Sequence, residues 1–337
     1  MNETIVTVFG GSGFLGRSLV KRLASAGYCI RVAVRDTEAA MFLKVLGDPG
    51  QVVPWPTDIN QSNQVFAAVK GADFVVNLVG ILFNSGRQNF INIHEIGAET
   101  IAKASNKAGV KRLVHISAIG AEEDSPSQYG RSKAAGVKAV KSNFPDASFV
   151  RPSVIFGTND NFFNLFAGLC RLTPVLPIFG CSLMPKFTFF PKDGLINVDL
   201  YGRGGTKMQP VYVGDVAEAI FKILSDPETK RKTYDLGGPK VYSFKDLMEL
   251  LLTFTGRKRF LVPMPFGLAK FLAWFLEILP KPLLTTDQVN SLRQDNVVSR
   301  KNPGFEKLNI LPTPAEAILP TYLYRFQTPS KRSINNE

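Results

Sequence analysis

Short apolar runs alternate with amphipathic stretches along the first two thirds of the chain. Residues 5–8 are apolar or β-branched and predict a buried strand, and a helical spacing of apolar positions begins near Ser18. Residues 73–79 form an unbroken apolar run that contains Asn77, which is typical of a central parallel strand covered on both faces. The pattern therefore predicts an α/β fold with a doubly wound parallel sheet. The other predicted strands are residues 28–34, 51–55, 112–117 and 233–236. The other predicted helices are 61–69, 92–108 and 243–255, and residues 211–224 are predicted as the end of a strand followed by a helix.

Three glycines lie between the first predicted strand and the first predicted helix. Gly10 permits a tight turn, Gly13 lets a diphosphate approach the backbone, and Gly16 lets the helix pack closely on the strand. The free N–H groups and partial positive charge of a helix N-terminus favour phosphate there. An ordinary glycine-rich turn is the alternative. The pattern predicts a Rossmann-type dinucleotide site, with these candidate cofactor-binding residues: Gly10, Ser12, Gly13, Phe14, Leu15, Gly16 and Arg17.

Charged residues after the second and third predicted strands bear on which dinucleotide is bound. Arg35 precedes Asp36 at the end of the second strand, and Arg17 follows the third glycine, so NADP(H) is favoured, with NAD(H) as the alternative. Arg35 stacking on the adenine ring is the competing interpretation. Asp58 is a candidate acceptor for the adenine amino group, or else an N-cap for the helix 61–69.

Tyr129 and Lys133 are spaced to lie on one face of a helix. A nearby ammonium lowers the pKa of a phenol, so the pair can act as a proton relay beside a nicotinamide. A Tyr-x-x-x-Lys spacing is common by chance, but it is less so after a glycine turn and several alternating strands and helices. Tyr129 and Lys133 are therefore the candidate catalytic pair.

Taken together, the glycine turn, Asp58, residues 77–80 and the Tyr129/Lys133 pair resemble an extended short-chain dehydrogenase/reductase. Residues 149–157 resemble the strand and loop that usually contact the nicotinamide end in that family. The resemblance implies Ser117 as a third catalytic residue. It also implies further cofactor contacts, which are Ile59, Val79, Gly80, Tyr129, Lys133 and Pro152.

Four later stretches narrow the resemblance to one branch of that family. Residues 161–179, 209–220, 284–299 and 308–326 are similar to the nucleotide-binding accessory subunit of respiratory complex I and its bacterial homologues. This resemblance covers nearly the whole chain. It implies a non-catalytic NAD(P)H and, as partners, the other subunits of a membrane respiratory complex.

The sequence departs from the active relatives of this family at two places. Residues 181–202 read as an aromatic, proline-rich surface insertion to which no role is assigned. Active relatives often carry a Ser-Ser pair after the strand that ends near Ile116, whereas this chain has Ser117 followed by Ala118. If the second position is the active one, the hydroxyl is missing while nucleotide binding is retained.

The predicted domains are discontinuous. Residues 1–157 form the NAD(P)-binding domain, with 209–237 returning to it. Residues 158–208 and 238–327 form a smaller C-terminal α/β region on the substrate side, and residues 328–337 are a flexible polar tail.

Charge and composition suggest where the chain works. The formal net charge of +12 favours contact with anionic lipid, nucleic acid or an acidic protein face, unless it reflects a general bias of the proteome. Residues 266–279 are nearly all apolar, too short to span a bilayer, and follow the basic residues 257–259. Such a segment fits a membrane interface or a partner, with a buried helix as the alternative.

These features predict a peripheral protein on the cytoplasmic face of a bacterial inner membrane, or on the matrix side of the mitochondrial inner membrane. No leader is expected before the first strand. Three cysteines and two histidines show no metal-ligand spacing, so no metal is expected. Aromatic residues are not interleaved with basic clusters, so nucleic acid is not expected either. The competing function is a free NADP-dependent oxidoreductase or epimerase.

Overall fold

The computed structural model describes residues 4–181, the backbone strands at 186–189 and 196–199, and residues 201–327. The predicted tail, 328–337, lies outside the described residues, as does most of the insertion at 181–202. The chain divides into two compact units. The first unit comprises Met1–Pro152, Val213–Leu236 and Ser299–Pro312, and the second comprises Ser153–Tyr212, Gly237–Val298 and Thr313–Glu337.

The strands of the first unit fall within about two residues of the predicted apolar runs, whereas most strands of the second unit were not predicted. In chain order they are β1 (Ile5–Phe9), β2 (Cys29–Val34), β3 (Val52–Pro56), β4 (Phe74–Asn77), β5 (Arg112–Ile116), β6 (Ser148–Pro152), β7 (Ile155–Phe156), β8 (Val175–Phe179), β9 (Lys186–Phe189), β10 (Ile196–Asp199), β11 (Lys207–Met208), β12 (Val211–Tyr212), β13 (Thr233–Leu236), β14 (Tyr242–Ser243) and β15 (Phe260–Met264).

The helices separate these strands. They are α1 (Phe14–Ser25), α2 (Ser62–Val69), α3 (Gly97–Lys107), α4 (Gln128–Asn143), α5 (Phe163–Leu172), α6 (Val213–Ser225), α7 (Phe244–Thr255), α8 (Phe266–Leu276), α9 (Thr286–Ser291) and α10 (Ala315–Leu323). Short 3₁₀ segments occur at Glu38–Leu46, Pro227–Thr229, Phe305–Leu308 and Tyr324–Phe326, and a π-helical turn occurs at Ile91–Ile96.

The first unit is built on a seven-stranded sheet in the order β13-β6-β5-β4-β1-β2-β3. Every pairing in this sheet is parallel. Helices α1 and α6 pack against each other, whereas α2, α3 and α4 pack together as a separate group. The interior of β1 and the whole of β5 are buried, as expected for strands covered on both faces. The doubly wound Rossmann-type sheet expected from the sequence is confirmed.

The predicted helix 92–108 is two elements rather than one. A π-helical turn at Ile91–Ile96 precedes α3, and it carries His94 into the interior. Gly136 on α4 allows this approach, because a Cβ there would lie 2.1 Å from the His94 carbonyl oxygen. Periodicity cannot reveal a π turn, because one inserted residue shifts the apolar pattern without interrupting it.

The segment Ser299–Pro312 belongs to the first unit, although the sequence analysis assigned it to the second region. The Asp235 N–H donates to the Pro303 carbonyl at 3.0 Å, and Lys222 Nζ donates to the Leu308 carbonyl at 2.8 Å. Residues 153–157 and 209–212, which the sequence analysis gave to the first domain, belong to the second unit. There β7 and β12 form a separate two-stranded parallel pair.

The second unit has a core of its own, in which helices α5 and α7 pack on strand β8 and helix α10 packs on α7. Helix α7 is fixed at its start by a capping box between Ser243 and Asp246, as the capping serine predicts. Its end is a left-handed Gly256.

Helix α8 differs from every other long helix of the second unit, because it buries only Ala269 and Ala273. Its large apolar side chains face outward: Phe271 is 61% exposed and Trp274 is 60% exposed. Leu268, Leu272 and Phe275 are also exposed, as is Ile278 just after the helix. The alternative that residues 266–279 form a buried helix is therefore wrong.

Candidate functional site

The candidate site residues follow the carboxyl ends of the strands in the first unit. Gly10 follows β1, Arg35 follows β2, Asp58 follows β3, and Val79 and Gly80 follow β4. Ser117 follows β5, and Pro152 ends β6. Strand order reverses where β1 lies between β2 and β4, and open α/β sheets bind ligands at such a point. The topology therefore places the candidates along one edge of the sheet.

The glycine turn fits tightly against the end of β4. Gly10 has φ of +78°, and a Cβ there would lie 3.1 Å from the Val79 amide nitrogen. A Cβ on Gly16 would lie 2.3 Å from the Gly10 carbonyl oxygen, so Gly16 is required by packing alone. Gly13 caps α1 and is exposed, and its side chain position is open except for the Gly10 carbonyl at 3.2 Å.

The start of α1 can hold a diphosphate. The first turn of the helix carries no acidic side chain, and Gly13 leaves its N-terminus open to an anion. Leu15 and Gly16 are buried, so Leu15 can contribute only its backbone, whereas Ser12 and Phe14 are partly exposed. The geometry of the turn fits the dinucleotide cradle expected from the sequence.

The acidic residues near β2 and β3 are engaged with their own loops. Asp36 Oδ1 accepts the Ala39 N–H at 3.0 Å, at the start of the 3₁₀ segment Glu38–Leu46. Asp58 Oδ1 accepts from the Asn60 N–H at 2.9 Å and from Asn60 Nδ2 at 3.1 Å. Asp58 does not cap α2, whose N-cap is Gln61, so the capping alternative is wrong. Ile59 is buried, and its side chain packs on Gly97.

Two arginines near the end of β2 are exposed. Arg35 directly follows β2, and Arg17 donates its Nε to the Ser12 carbonyl at 3.0 Å. The guanidinium carbon of Arg17 lies 4.4 Å from the centre of the Phe42 ring. Positive charge therefore faces the region that an adenosine ribose occupies in this topology.

A buried polar cluster lies behind the loop after β4. It consists of Asn77, His94, His115, Ser117 and Lys133, each less than 5% exposed. Lys133 Nζ donates to the Ile116 carbonyl at 3.3 Å, and a Cβ on Gly80 would lie 3.0 Å from Nζ. Burial lowers the pKa of Lys133 to about 8, so the amine stays mainly protonated at neutral pH. This cation can donate to hydroxyl groups of a ligand at Gly80.

His94 ties the Gly80 loop to helix α4. Its Nε2 accepts the Ile81 N–H at 3.0 Å, which leaves the ring proton on Nδ1. Nδ1 then donates to Ser132 Oγ at 2.8 Å, and the Ser132 hydroxyl donates to the Tyr129 carbonyl at 2.8 Å. Burial, together with the positive charge of Lys133, lowers the pKa of His94 to about 2. The imidazole is therefore a neutral bridge in a fixed tautomer.

His115 is held in the opposite tautomer. Its Nδ1 accepts from Asn77 Nδ2 at 3.1 Å, and Asn77 Oδ1 accepts the Val79 N–H at 3.0 Å. Burial lowers the pKa of His115 to about 3. Within the described part of the chain, His115 Nε2 and Ser117 Oγ have no hydrogen-bond partner. Ser117, a predicted catalytic residue, thus lies at the site with its hydroxyl unsatisfied.

Burial outweighs any effect of the Lys133 ammonium on the pKa of Tyr129. Burial raises the pKa of Tyr129 to about 12, whereas the sequence analysis expected a neighbouring ammonium to lower it. The Tyr129 ring is half-buried, with the His94 and Phe90 rings edge-on to it at 5.5 and 6.1 Å between centroids. The spacing of Tyr129 and Lys133 predicted that they share one helix, but it could not predict how far the two groups are buried from solvent.

Two residues at the site escaped the sequence analysis. His94 was considered only as a metal ligand and set aside, because two scattered histidines cannot form a metal site. Phe42 was not considered, because nothing in its local pattern distinguishes it from a core residue. In the parts of the chain that are described, no group of three or more histidine, cysteine or acidic side chains can hold a metal.

Residues 6–237 match the NAD dependent epimerase/dehydratase family, and the chain belongs to that family. Membership supports a nicotinamide cofactor at the glycine turn.

The chain is also similar over most of its length to two mitochondrial proteins. One is NADH dehydrogenase [ubiquinone] 1 alpha subcomplex subunit 9 of Arabidopsis thaliana, at 34% identity over 91% of this chain and 74% of the relative. The other is the protein of the same name from Mus musculus, at 32% identity over 94% of this chain and 78% of the relative. Both alignments extend beyond residue 237 into the second unit.

A solved structure, MoeE5 in complex with UDP-glucose and NAD, shares the fold. Its TM-score is 0.67 at 17% identity, with 98% of this chain and 99% of MoeE5 covered. Among the described helices, none combines the length and apolarity required to cross a bilayer.

Proposed function

We propose that this chain is an NAD(P)H-binding accessory subunit of a complex I-like NADH:ubiquinone oxidoreductase, and that its nucleotide is structural. The observation that carries the proposal is the similarity to relatives named as NADH dehydrogenase subunits, which spans both units of the chain. A likeness confined to the nucleotide fold would support only a shared cofactor. Its extension through the second unit supports a shared role in a respiratory complex.

The bound nucleotide is NADP(H) in preference to NAD(H). Asp36, the acidic residue nearest the end of β2, accepts a backbone N–H of its own loop. Arg17 and Arg35 are exposed in the same region. A 2′-phosphate that meets an arginine forms charge-assisted hydrogen bonds, each contributing about 1.5–3 kcal/mol.

The nucleotide does not turn over in this proposal. Tyr129 would have to lose or gain a proton beside the nicotinamide, but burial raises its pKa to about 12. Ala118 occupies the position after Ser117, where active relatives carry a hydroxyl. When bound, the nicotinamide would supply hydride chemistry, and here its binding contributes instead to the stability of the subunit.

The subunit is peripheral to the membrane, held by its neighbours in the complex and by α8. The exposed apolar face of α8 has no use in a solitary soluble protein. Arg257 and Arg259 each donate Nε to a backbone carbonyl, of Phe326 and Cys170, so these two side chains are less available to headgroups than the sequence suggested. Exposed Lys258, Lys270 and Lys281 remain. These features support a location on the cytoplasmic face of a bacterial inner membrane, or on the matrix side in a mitochondrion.

Purification of the protein from its native membranes tests the proposal directly. We expect it to co-migrate with other subunits of an NADH:ubiquinone oxidoreductase and to release NADP(H) on denaturation. Tyr129→Phe should leave the quinone reductase activity of the assembled complex unchanged. Loss of an NADPH-dependent turnover in isolated Tyr129→Phe protein, relative to a measurable wild-type rate, would overturn the structural role.

The membrane contact has its own test. Replacing Leu272, Trp274 and Phe275 on α8 with serine should release the protein from vesicles that contain anionic lipid. Val45→Ser with Leu311→Ser is the matched control, since both side chains are exposed but lie in the first unit. Circular dichroism separates release from unfolding. Equal retention of both variants would show that α8 does not make the contact.

An NADP-dependent oxidoreductase or epimerase is the second candidate. The observation that favours it is the intact set of Tyr129, Lys133 and Ser117 at one sheet edge, with the Ser117 hydroxyl unsatisfied within the described residues. In that case Tyr129 is the acid or base, and Lys133 orients the ribose. Turnover of a panel of carbonyl compounds with NADPH distinguishes this candidate from the structural role.

A further inference from the structure

The orientation of Arg17 is set by two contacts, one of them outside the glycine turn. Its Nε donates to the Ser12 carbonyl at 3.0 Å, and its guanidinium lies over the Phe42 ring at 4.4 Å. In the described part of the chain, its two terminal nitrogens have no hydrogen-bond partner. One edge of the guanidinium is thus bound within the protein, while the terminal edge is left for a ligand.

Phe42 is not part of the hydrophobic core. It lies on the 3₁₀ segment Glu38–Leu46, where Ala40 and Leu43 are the buried residues that anchor the segment. Phe42 is 41% exposed, as is its neighbour Met41. An exposed aromatic ring contributes little to folding, so the contact with Arg17 is the role that its surroundings indicate.

We propose that Phe42 is a specificity-determining positioning residue, which orients Arg17 to bind the 2′-phosphate of NADP(H). The inference rests on the NADP(H) preference proposed above and adds the element that makes Arg17 effective. A long, exposed arginine loses much rotamer freedom when it binds a phosphate, and a planar guanidinium stacked on a ring has lost part of it beforehand. The terminal edge is then aligned for a paired contact with phosphate oxygens.

By orienting Arg17, the Phe42 ring can favour the binding of NADP(H) but not that of NAD(H). That cofactor lacks the 2′-phosphate, and so it gains nothing from an oriented Arg17. A role in packing, by contrast, would affect the two cofactors equally. The ratio of the two affinities therefore separates positioning from a structural effect.

Calorimetric titration of NADPH and NADH against four proteins tests the proposal. Phe42→Leu should weaken NADPH binding about three- to tenfold, the range expected for loss of a partly exposed cation–π contact, and leave NADH within about twofold. Phe42→Tyr should retain the wild-type ratio because it keeps the ring. Met41→Leu is the control, being adjacent and equally exposed. Melting temperatures of the four proteins without nucleotide should agree.

A double substitution gives the sharpest outcome. In an Arg17→Ala background, Phe42→Leu should have no further effect on the affinity for NADPH, because the ring acts only through the guanidinium. An equal loss of both cofactors in Phe42→Leu would overturn the proposal, and so would an additive loss in the double variant. A wild-type protein that binds NADPH and NADH equally would instead overturn the NADP(H) preference itself.

Discussion

The buried polar cluster of the first unit and helix α8 of the second unit are opposite departures from ordinary burial. In the first, two neutral histidines and a lysine are almost fully removed from solvent. In the second, a helix of eleven residues buries two alanines and exposes the aromatic side chains of Phe271, Trp274 and Phe275. Globular proteins tolerate each arrangement only where a contact offsets its cost.

The difference between the two regions separates two kinds of function. The polar cluster is satisfied largely from within, by hydrogen bonds that fix two histidine tautomers, and it adjoins the exposed Gly80, where a small ligand can approach. The apolar face of α8 is exposed to solvent, so it suits a large and weakly specific contact. The polar cluster therefore suits the specific binding of a small ligand, whereas the face of α8 suits a large contact surface.

The largest predicted effect concerns the glycine turn. Gly16→Ala should lower the free energy of unfolding by about 4 kcal/mol or prevent folding, since its Cβ would lie 2.3 Å from a backbone oxygen that cannot move away. Gly13→Ala is the control: it should change stability by about 1 kcal/mol or less, but remove the rise in melting temperature on adding NADPH. Urea denaturation measures the stabilities of the two variants, and thermal melting with and without NADPH measures the rise in melting temperature. Equal stabilities of the two variants would contradict the packing argument.

The next effect tests the bridge made by His94. His94→Leu should lower the free energy of unfolding by about 3 kcal/mol, because it leaves the Ile81 N–H without an acceptor and removes one of the two hydrogen bonds of the Ser132 hydroxyl in a poorly solvated region. His94→Asn restores a polar group near one of these two partners, so it should lower the free energy of unfolding by less than His94→Leu. Denaturation curves at pH 7.5 measure the difference, and equal losses would show that His94 acts only by its volume.

A smaller effect is expected from pH. The pKa of His94 is lowered to about 2 and that of His115 to about 3, from an ordinary value of 6.5. The unfolded chain therefore binds more protons than the folded chain below about pH 6.5, and stability falls as pH falls. Between pH 7.5 and 5.5 the loss should be about 1.4 kcal/mol for each histidine.

The chain contains only these two histidines, so no other imidazole contributes in that range. His94→Asn should about halve the slope of unfolding free energy against pH. A wild-type profile that is flat between pH 7.5 and 5.5 would show that the pKa of neither ring is lowered in the folded protein.

The smallest predicted effect concerns the stability contributed by the exposed side chains of α8. Trp274→Ser should change the free energy of unfolding by about 0.5 kcal/mol or less, because the side chain is mostly exposed already. Ala273→Ser, at the adjacent buried position, should cost more despite removing no apolar atoms. If Trp274→Ser is the more damaging in isolated protein, the face of α8 is covered within the chain.

The sequence predicted the sheet well and the interior of the site poorly. Strand periodicity, the three glycines and the Tyr129/Lys133 spacing are local patterns, and they survive in the structure because a parallel sheet brings strand ends together. The pKa of Tyr129, the tautomer of His94 and the engagement of Asp58 with Asn60 depend on neighbours far along the chain or on loop geometry. No periodicity encodes those neighbours.

The outward face of α8 was a harder case. Residues 266–279 are apolar on all sides, so the pattern could not say which side faces the core, and a buried helix remained an equal alternative. The small residues Ala269 and Ala273, four apart, mark the packed side. The spacing of these two alanines could be interpreted as the packed side of the helix only after the structure showed that both are buried.

The order in which the first unit is assembled from the chain has a consequence for biosynthesis. Six strands of the sheet are complete by Pro152, but the seventh, β13, is added only at residues 233–236, beside β6. Arg112, buried in β5, receives its acceptors, the Ile223 carbonyl and Thr229 Oγ1, from the same late segment. During synthesis the emerging domain therefore holds an open sheet edge and an unsatisfied arginine for about eighty residues, or roughly 4–16 seconds at about 5–20 residues per second. Protection by a chaperone would matter most in that interval.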